Sequence, residues 1–158
     1  MPEIYLCDTN SFRVISNYYP GSFPSFWDQL ERFVSDQRFG SVREVRKELN
    51  NQNASQHLSD WCENHPAVFP SPTEDELHAV ADILAVPHFG QLIGEKQRLR
   101  GSPVADPFLV ARAQVIGATV ISEEVFKPNA AKIPNVCSHF GVGCVDLEGF
   151  LRAVGWSF

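Results

Sequence analysis

Twice in this chain a short apolar run breaks off at a polar, acidic step, and a sequence built that way has few folds open to it. Residues 3–8 (Glu-Ile-Tyr-Leu-Cys-Asp) run into Thr9-Asn10, and Ala118-Thr119-Val120-Ile121 runs into Ser122-Glu123-Glu124. β-Branched and aromatic residues in runs this short favour buried strands, and the polar residues mark where each strand leaves its sheet. The stretches between them carry helical periodicity instead of alternation.

A helix is expected from about Ser25, where Phe26, Leu30, Phe33 and Val34 recur at helical spacing, with Gly40 as its stop. Ser41 and Glu44 have the spacing of a capping box, and Val42, Val45 and Leu49 give the next helix one apolar stripe that ends near Asn50-Asn51. Residues 55–65 suggest a short helix around Leu58 and Trp61, and Ala67-Val68-Phe69 a short strand. Thr73 and Glu76 form a second capping box, ahead of a helix carrying Leu77, Val80, Ala81 and Leu84 that stops near Pro87. Phe108 to Ile116 is apolar nearly all round, as suits a helix packed on a sheet, and Gly117 ends it. A last short strand at Val142 to Val145 and a helix at Leu147 to Val154 complete an α/β alternation, hence a sandwich with a mainly parallel sheet.

The chain has 158 residues, about what one compact domain holds, and its 44% hydrophobic and 20% charged content is that of a chain with a real core. No apolar run approaches the ~18 residues of a membrane span. Glu3 stands where a signal peptide carries positive charge, so a cytoplasmic protein is expected, neither secreted nor membrane-inserted. The net charge is −6, the wrong sign for bulk attraction to phosphate, so a nucleic-acid partner requires a local basic patch or a metal. Cys7, Cys62, Cys137 and Cys144 match no disulfide framework and no CxxC pairs. Cys62, His65, Cys137 and His139 have no standard zinc spacing either, so reduced, buried thiols are expected.

In an open parallel sheet, ligands bind at the carboxyl ends of the strands, where Asp8 and Glu123-Glu124 fall. Asp106 opens the apolar helix that leads into the second of these strands, and Glu48 lies on a helix whose stripe packs on the same sheet. At about 100° per residue Glu48 flanks that stripe more closely than Glu44, which has the capping box as its duty. Converging carboxylates raise one another's pKa and are usually kept with a bound cation, and hard oxygen ligands favour magnesium or manganese. Each acid also has a plain alternative: Asp8 as turn chemistry, Asp106 as a helix cap before Pro107, Asp146 as the cap of the last helix, and either of Glu123 and Glu124 as a solvated loop carboxylate.

Four segments, taken in order, resemble the PIN-domain nucleases, which include the ribonuclease toxins of bacterial VapBC-type toxin-antitoxin pairs. They are Leu6-Cys7-Asp8-Thr9-Asn10, Val45-Arg46-Lys47-Glu48-Leu49, Ala105-Asp106-Pro107-Phe108-Leu109-Val110-Ala111-Arg112-Ala113, and Val120-Ile121-Ser122-Glu123-Glu124. Tyr18-Tyr19-Pro20 and Lys132-Ile133-Pro134-Asn135-Val136-Cys137 are similar to an uncharacterised PIN-like branch. The resemblance implies a single PIN-like domain over residues 1–158, a three-layer sandwich with a short, mainly parallel β-sheet flanked by helices. It implies Asp8, Glu48 and Asp106 as metal ligands, with Glu124, two positions after Ser122, as the fourth where many relatives carry Asp. The implied activity is hydrolysis of RNA phosphodiesters with Mg2+ or Mn2+, in the toxin of a toxin-antitoxin pair. A small antitoxin and a second copy of the chain are the implied partners.

Asn10 and Ser122 are placed to orient the carboxylates or the attacking water, or to serve only as turn hydrogen bonders. Arg43, Arg46, Lys47, Lys96, Arg98 and Arg100 are the candidate RNA contacts, against a plain reading as solvated helix faces. The competing reading is a PIN-like binding module that has lost catalysis and pairs with an antitoxin or regulator. A haloacid-dehalogenase-type enzyme requires a second Asp at the place of Asn10, and no P-loop or complete GxGxxG turn is present.

Overall fold

The computed structural model describes residues 2–92 and 105–158. Strands β1 (Tyr5–Cys7), β2 (Phe39–Gly40), β3 (Thr119–Ile121) and β4 (Cys144–Val145) lie in the order β2-β1-β3-β4, and all three pairings are parallel. Tyr5, Leu6 and Cys7 face Thr119, Val120 and Ile121 across the central pair. Around the sheet stand α1 (Thr9–Ile15), α2 (Pro24–Ser35), α3 (Arg43–Asn51), α4 (Gln56–Asn64), α5 (Glu74–Ala85), α6 (Ala105–Ile116), α7 (Ile133–Phe140) and α8 (Leu147–Val154). The α/β sandwich with a short parallel sheet is therefore as the residue pattern predicts. Among the described residues no helix is long and apolar enough to cross a membrane.

Successive strand residues point to opposite faces of a sheet, and β1 uses both. Tyr5 meets Phe150 of α8 edge-on at 4.8 Å, and Phe150 in turn touches Phe33 of α2 and Trp156. Leu6 and Ile4 line the same cavity as Arg112 and Ile116 of α6. One layer thus contains α2 and α8, the other contains α6, and α6 packs in turn on α3 and α5. The apolar character of α6 follows: Leu109, Val110, Ala111 and Ala113 are all buried, because the helix has the sheet on one side and helices on others.

Several local expectations give way to tertiary contacts. Where Thr9-Asn10 reads as a polar turn, the chain enters α1, and Asp8 caps it by accepting from Ser11 N at 2.7 Å. Gly40 does not stop a helix. α2 ends at Ser35, and Gln37 turns the chain at φ 58°, with Gln37 N on Val34 O and Arg38 N on Phe33 O, so that Phe39-Gly40 become the edge strand. Pro66–Val68 is a 3-10 turn where 67–69 reads as a strand. Helix α7 has no counterpart in the reading of the residue pattern.

The two capping boxes divide. Thr73 Oγ1 accepts from Glu76 N at 3.2 Å as expected, although the Glu76 carboxylate pairs with Arg112 at 3.0 Å instead of returning to the cap. The Ser41–Glu44 box does not form: Val42 is the N-cap of α3. The buried Ser41 hydroxyl donates to Cys7 O at 2.7 Å, tying β2's exit to β1, and Glu44 pairs with Arg43 at 2.8 Å while its Oε1 is buried without a partner among the described residues.

Candidate functional site

The sheet order places a topological switch point between β1 and β3, since the chain passes from β1 to β2 on one side and later returns to β3 on the other. A crevice at the strand carboxyl ends is expected there. Because Cys7 pairs with Ile121, the next residues out, Asp8 and Ser122, stand side by side; Asp8 N still donates to Ile121 O at 3.1 Å.

Each acid is held by a different element. Asp8 is buried at the end of β1, where its carboxylate accepts from the Ser11 amide at the start of α1 at 2.7 Å; the Ser11 hydroxyl donates to Ile121 O at 3.3 Å, and the Ser122 hydroxyl lies beside the carboxylate. Glu48 projects from the second turn of α3 and accepts from the Thr9 hydroxyl at 2.6 Å and from Ala105 N at 3.1 Å. It therefore bridges the starts of α1 and α6. Asp106 lies in the first turn of α6, which opens at Ala105, so it is one position inside the helix and not its cap. Glu124 leaves β3, folds back so that its amide reaches Ser122 Oγ at 3.1 Å, and accepts from Ile133 N at 2.9 Å at the start of α7. Glu123 points elsewhere, onto Leu147 N at 2.7 Å, and Asp146 caps α8 through Gly149 N at 2.7 Å.

The four acids act on one another. Burial is the first cause raising the Asp106 pKa, and the charges of Glu124, Glu48 and Asp8 add to it, bringing the group to about 8 against one opposing cation, Lys132. Burial likewise raises Asp8, aided by Glu124 and opposed by the Ser11 and Ser122 hydrogen bonds. Burial raises Glu48 too, aided by Asp8 and opposed by Thr9 and the Ala105 amide. A carboxyl lifted to about 8 by burial and three like charges is a group that a cation would ionise.

The donor chemistry, four carboxylates and neighbouring hydroxyls, suits a hard divalent cation. In the arrangement as it stands, the described residues contain no group of three or more His, Cys, Asp or Glu side chains set to share one ion. The reason is visible in the hydrogen bonds: Glu48 has both oxygens engaged and Glu124 has one, all to donors at helix starts. These four residues fit the group by charge and by type, and an ion there has to compete with those donors.

The sequence profile of a family described as a domain of unknown function, DUF4411, matches residues 5–158. The chain belongs to the DUF4411 family. All four acids fall inside the matched span. No curated protein matches the chain.

Of the supporting residues expected in this DUF4411 chain, Ser122 takes the expected place and Asn10 does not. Asn10 is exposed on the first turn of α1, and its neighbours Thr9 and Ser11 do the orienting. The signal for them was there in the run Asp8-Thr9-Asn10-Ser11: an Asp followed three residues later by a donor amide at a helix start is an N-cap pattern. Among the basic residues, Arg43 is engaged with Glu44, Arg46 with the side chain of Asn50, and Lys47 is exposed. Lys96, Arg98 and Arg100 lie outside the described residues. Lys132, whose charge reaches Asp106, is a cation the sequence reading passed over, because no clustering marks it. All four cysteines are free thiols, with Cys7, Cys62 and Cys137 buried as expected and Cys144 only half-buried, and His65 is used between Trp61 O and Glu31.

Proposed function

We propose that this protein is a PIN-like, magnesium- or manganese-dependent endoribonuclease, the toxin of a toxin-antitoxin pair, whose ion is held by Asp8, Glu48, Asp106 and Glu124. The observation that carries the reading is the gathering of these four acids, from residues 8, 48, 106 and 124, at the switch point of a parallel sheet, where the charges of Asp8, Glu48 and Glu124 all add to the raised pKa of Asp106. A divalent ion there supplies a water of lowered pKa and offsets charge on a phosphorane-like transition state. The chain's own residues do the positioning. The Ser11 amide and the neighbouring Ser122 hydroxyl hold Asp8, Thr9 and the Ala105 amide hold Glu48, and the Ile133 amide holds Glu124. Lys132 offsets negative charge beside Asp106, where a phosphate has to approach an acidic surface. An RNA substrate, a small antitoxin and a second copy of the chain are the partners that go with this reading, and they rest on the family resemblance.

The test is cleavage of total RNA by purified protein in magnesium or manganese, with chelator and with Asp8→Asn and Asp106→Asn beside it. Loss of cleavage in all three arms supports the reading. Equal cleavage by wild type and both variants overturns it.

A second reading is a binding module that keeps the shell and lacks catalysis. It is favoured by one observation, that Glu48 and Glu124 are spent on hydroxyl and amide donors with no ready three-acid group among the described residues. A melting temperature unmoved by millimolar Mn2+, together with no cleavage, selects it.

A further inference from the structure

Beside the acids, the loop that leaves β3 displays a Val-Phe pair to solvent. Val125 is 76% exposed and Phe126 53%. Burying either would gain about 1.5–3 kcal/mol, so a loop free to fold inward would hide them. This one is anchored on both sides of the pair. Glu124 holds Ile133 N at 2.9 Å, and the buried Asn135 side chain clamps residue 127 twice, accepting from Lys127 N at 3.3 Å and donating to Lys127 O at 2.6 Å.

Phe126 forms one wall of an open groove of about 270 Å³, with Phe89, His88, His139 and Asn135 among its other walls. Phe89 meets His139 edge-on at 5.2 Å, so the far wall is a packed aromatic surface. His88 Nε2 in that wall is buried and has no hydrogen-bond partner among the described residues. Lys127 and Lys132 are exposed on the segment that borders the groove, and the charge of Lys132 is felt at Asp106. The groove therefore adjoins the acid cluster through Glu124 and Lys132.

We propose that this groove binds one unpaired nucleobase of the RNA strand, stacked on Phe126, while Lys127 and Lys132 take the flanking phosphates. The inference rests on the ribonuclease reading and places one base contact of its substrate at this groove. A base is flat and offers π faces to an exposed ring such as Phe126. Local lysines supply the attraction that a net charge of −6 denies. A protein partner explains the apolar pair, but not the cations that run from it toward the acids.

The experiment measures binding of a short, labelled single-stranded RNA by anisotropy. It uses the full chain carrying Asp8→Asn and Asp106→Asn, which silences cleavage and removes negative charge. Adding Phe126→Ala should weaken binding about tenfold or more, the usual effect of losing one stacked base. Phe126→Trp should retain it. An oligonucleotide of the same length with abasic positions should not distinguish the three proteins. Equal RNA affinity with Phe and Ala at position 126 overturns the proposal and leaves the ribonuclease reading standing. A wild-type protein that neither binds nor cleaves RNA overturns both. If Phe126→Ala turns a dimer into a monomer without changing RNA affinity, the groove is a contact between copies and the proposal fails.

Discussion

The two aspartates and the two glutamates of the acid cluster sit in the same corner and are held in different ways. Glu48 and Glu124 reach across to donors on other elements, Thr9 and Ala105 in one case and Ile133 in the other. They act as struts between helix starts. Asp8 caps the helix that follows it, and Asp106 has the most raised carboxyl of the cluster. The longer side chains thus serve architecture as well as charge, and the shorter ones carry the electrostatic strain. A cluster of four acids need not be four equivalent ligands.

The largest effect that tests this difference is on catalysis. Asp8→Asn and Asp106→Asn should each lower kcat by more than about 100-fold with little change in the folded signal, whereas Glu124→Gln, which can still accept from Ile133 N, should retain more activity than either. Equal losses at all three positions, measured on one RNA at saturating Mn2+, would erase the distinction between strut and ligand.

Next in size is a pH effect on the metal-free protein. Asp106 has its pKa raised from an ordinary 3.8 to about 8, so the folded state binds its proton more tightly than the unfolded state does. Stability from that proton is fully present below the unfolded pKa, declines as pH rises from about 4, and is gone above about 8. Asp106→Asn removes the titration, so in chelator it should melt above wild type by at least about 1 kcal/mol at pH 8.5, with the gap shrinking toward pH 4. Thermal melts across that range check it, and a gap independent of pH would break the electrostatic account.

The smallest effect concerns the strut itself. Thr9→Val keeps the shape and deletes the hydroxyl that Glu48 accepts at 2.6 Å. It should cost about 1 kcal/mol of stability and about tenfold in activity, the second figure being typical for a group that orients a ligand. Unchanged activity at a lowered melting point would make Thr9 purely structural.

Much of this site was legible because strand ends leave a local signature. Asp8 and Ser122-Glu123-Glu124 follow apolar runs directly, and a parallel sheet sends such residues to one edge. Glu48 was preferred to Glu44 on helical angle and on the capping duty of Glu44; the structure puts Glu48 beside Asp8, but the capping box does not form and Glu44 is the more buried of the two, paired with Arg43. The choice between Glu123 and Glu124 was not available locally. It depends on which helix start each carboxylate meets, α8 for Glu123 and α7 for Glu124, and α7 itself was not foreseen.

The pair of capping boxes marks the boundary between the two kinds of information. The sequence by itself determined the α/β alternation, the buried central strands, the all-round apolar α6 and the acids at strand ends, since periodicity and composition act within a few residues. It determined the Thr73 cap for the same reason. What became of Ser41 only the tertiary structure decided: a hydroxyl that satisfies a helix amide in isolation is worth more when it satisfies Cys7 O, a carbonyl at the end of a buried strand that water cannot reach. The same rule governs the acids. Their presence is written in the chain, but the amides that Asp8, Glu48 and Glu124 meet belong to three helix starts, at Ser11, Ala105 and Ile133, gathered around a sheet whose central strands lie more than a hundred residues apart in sequence.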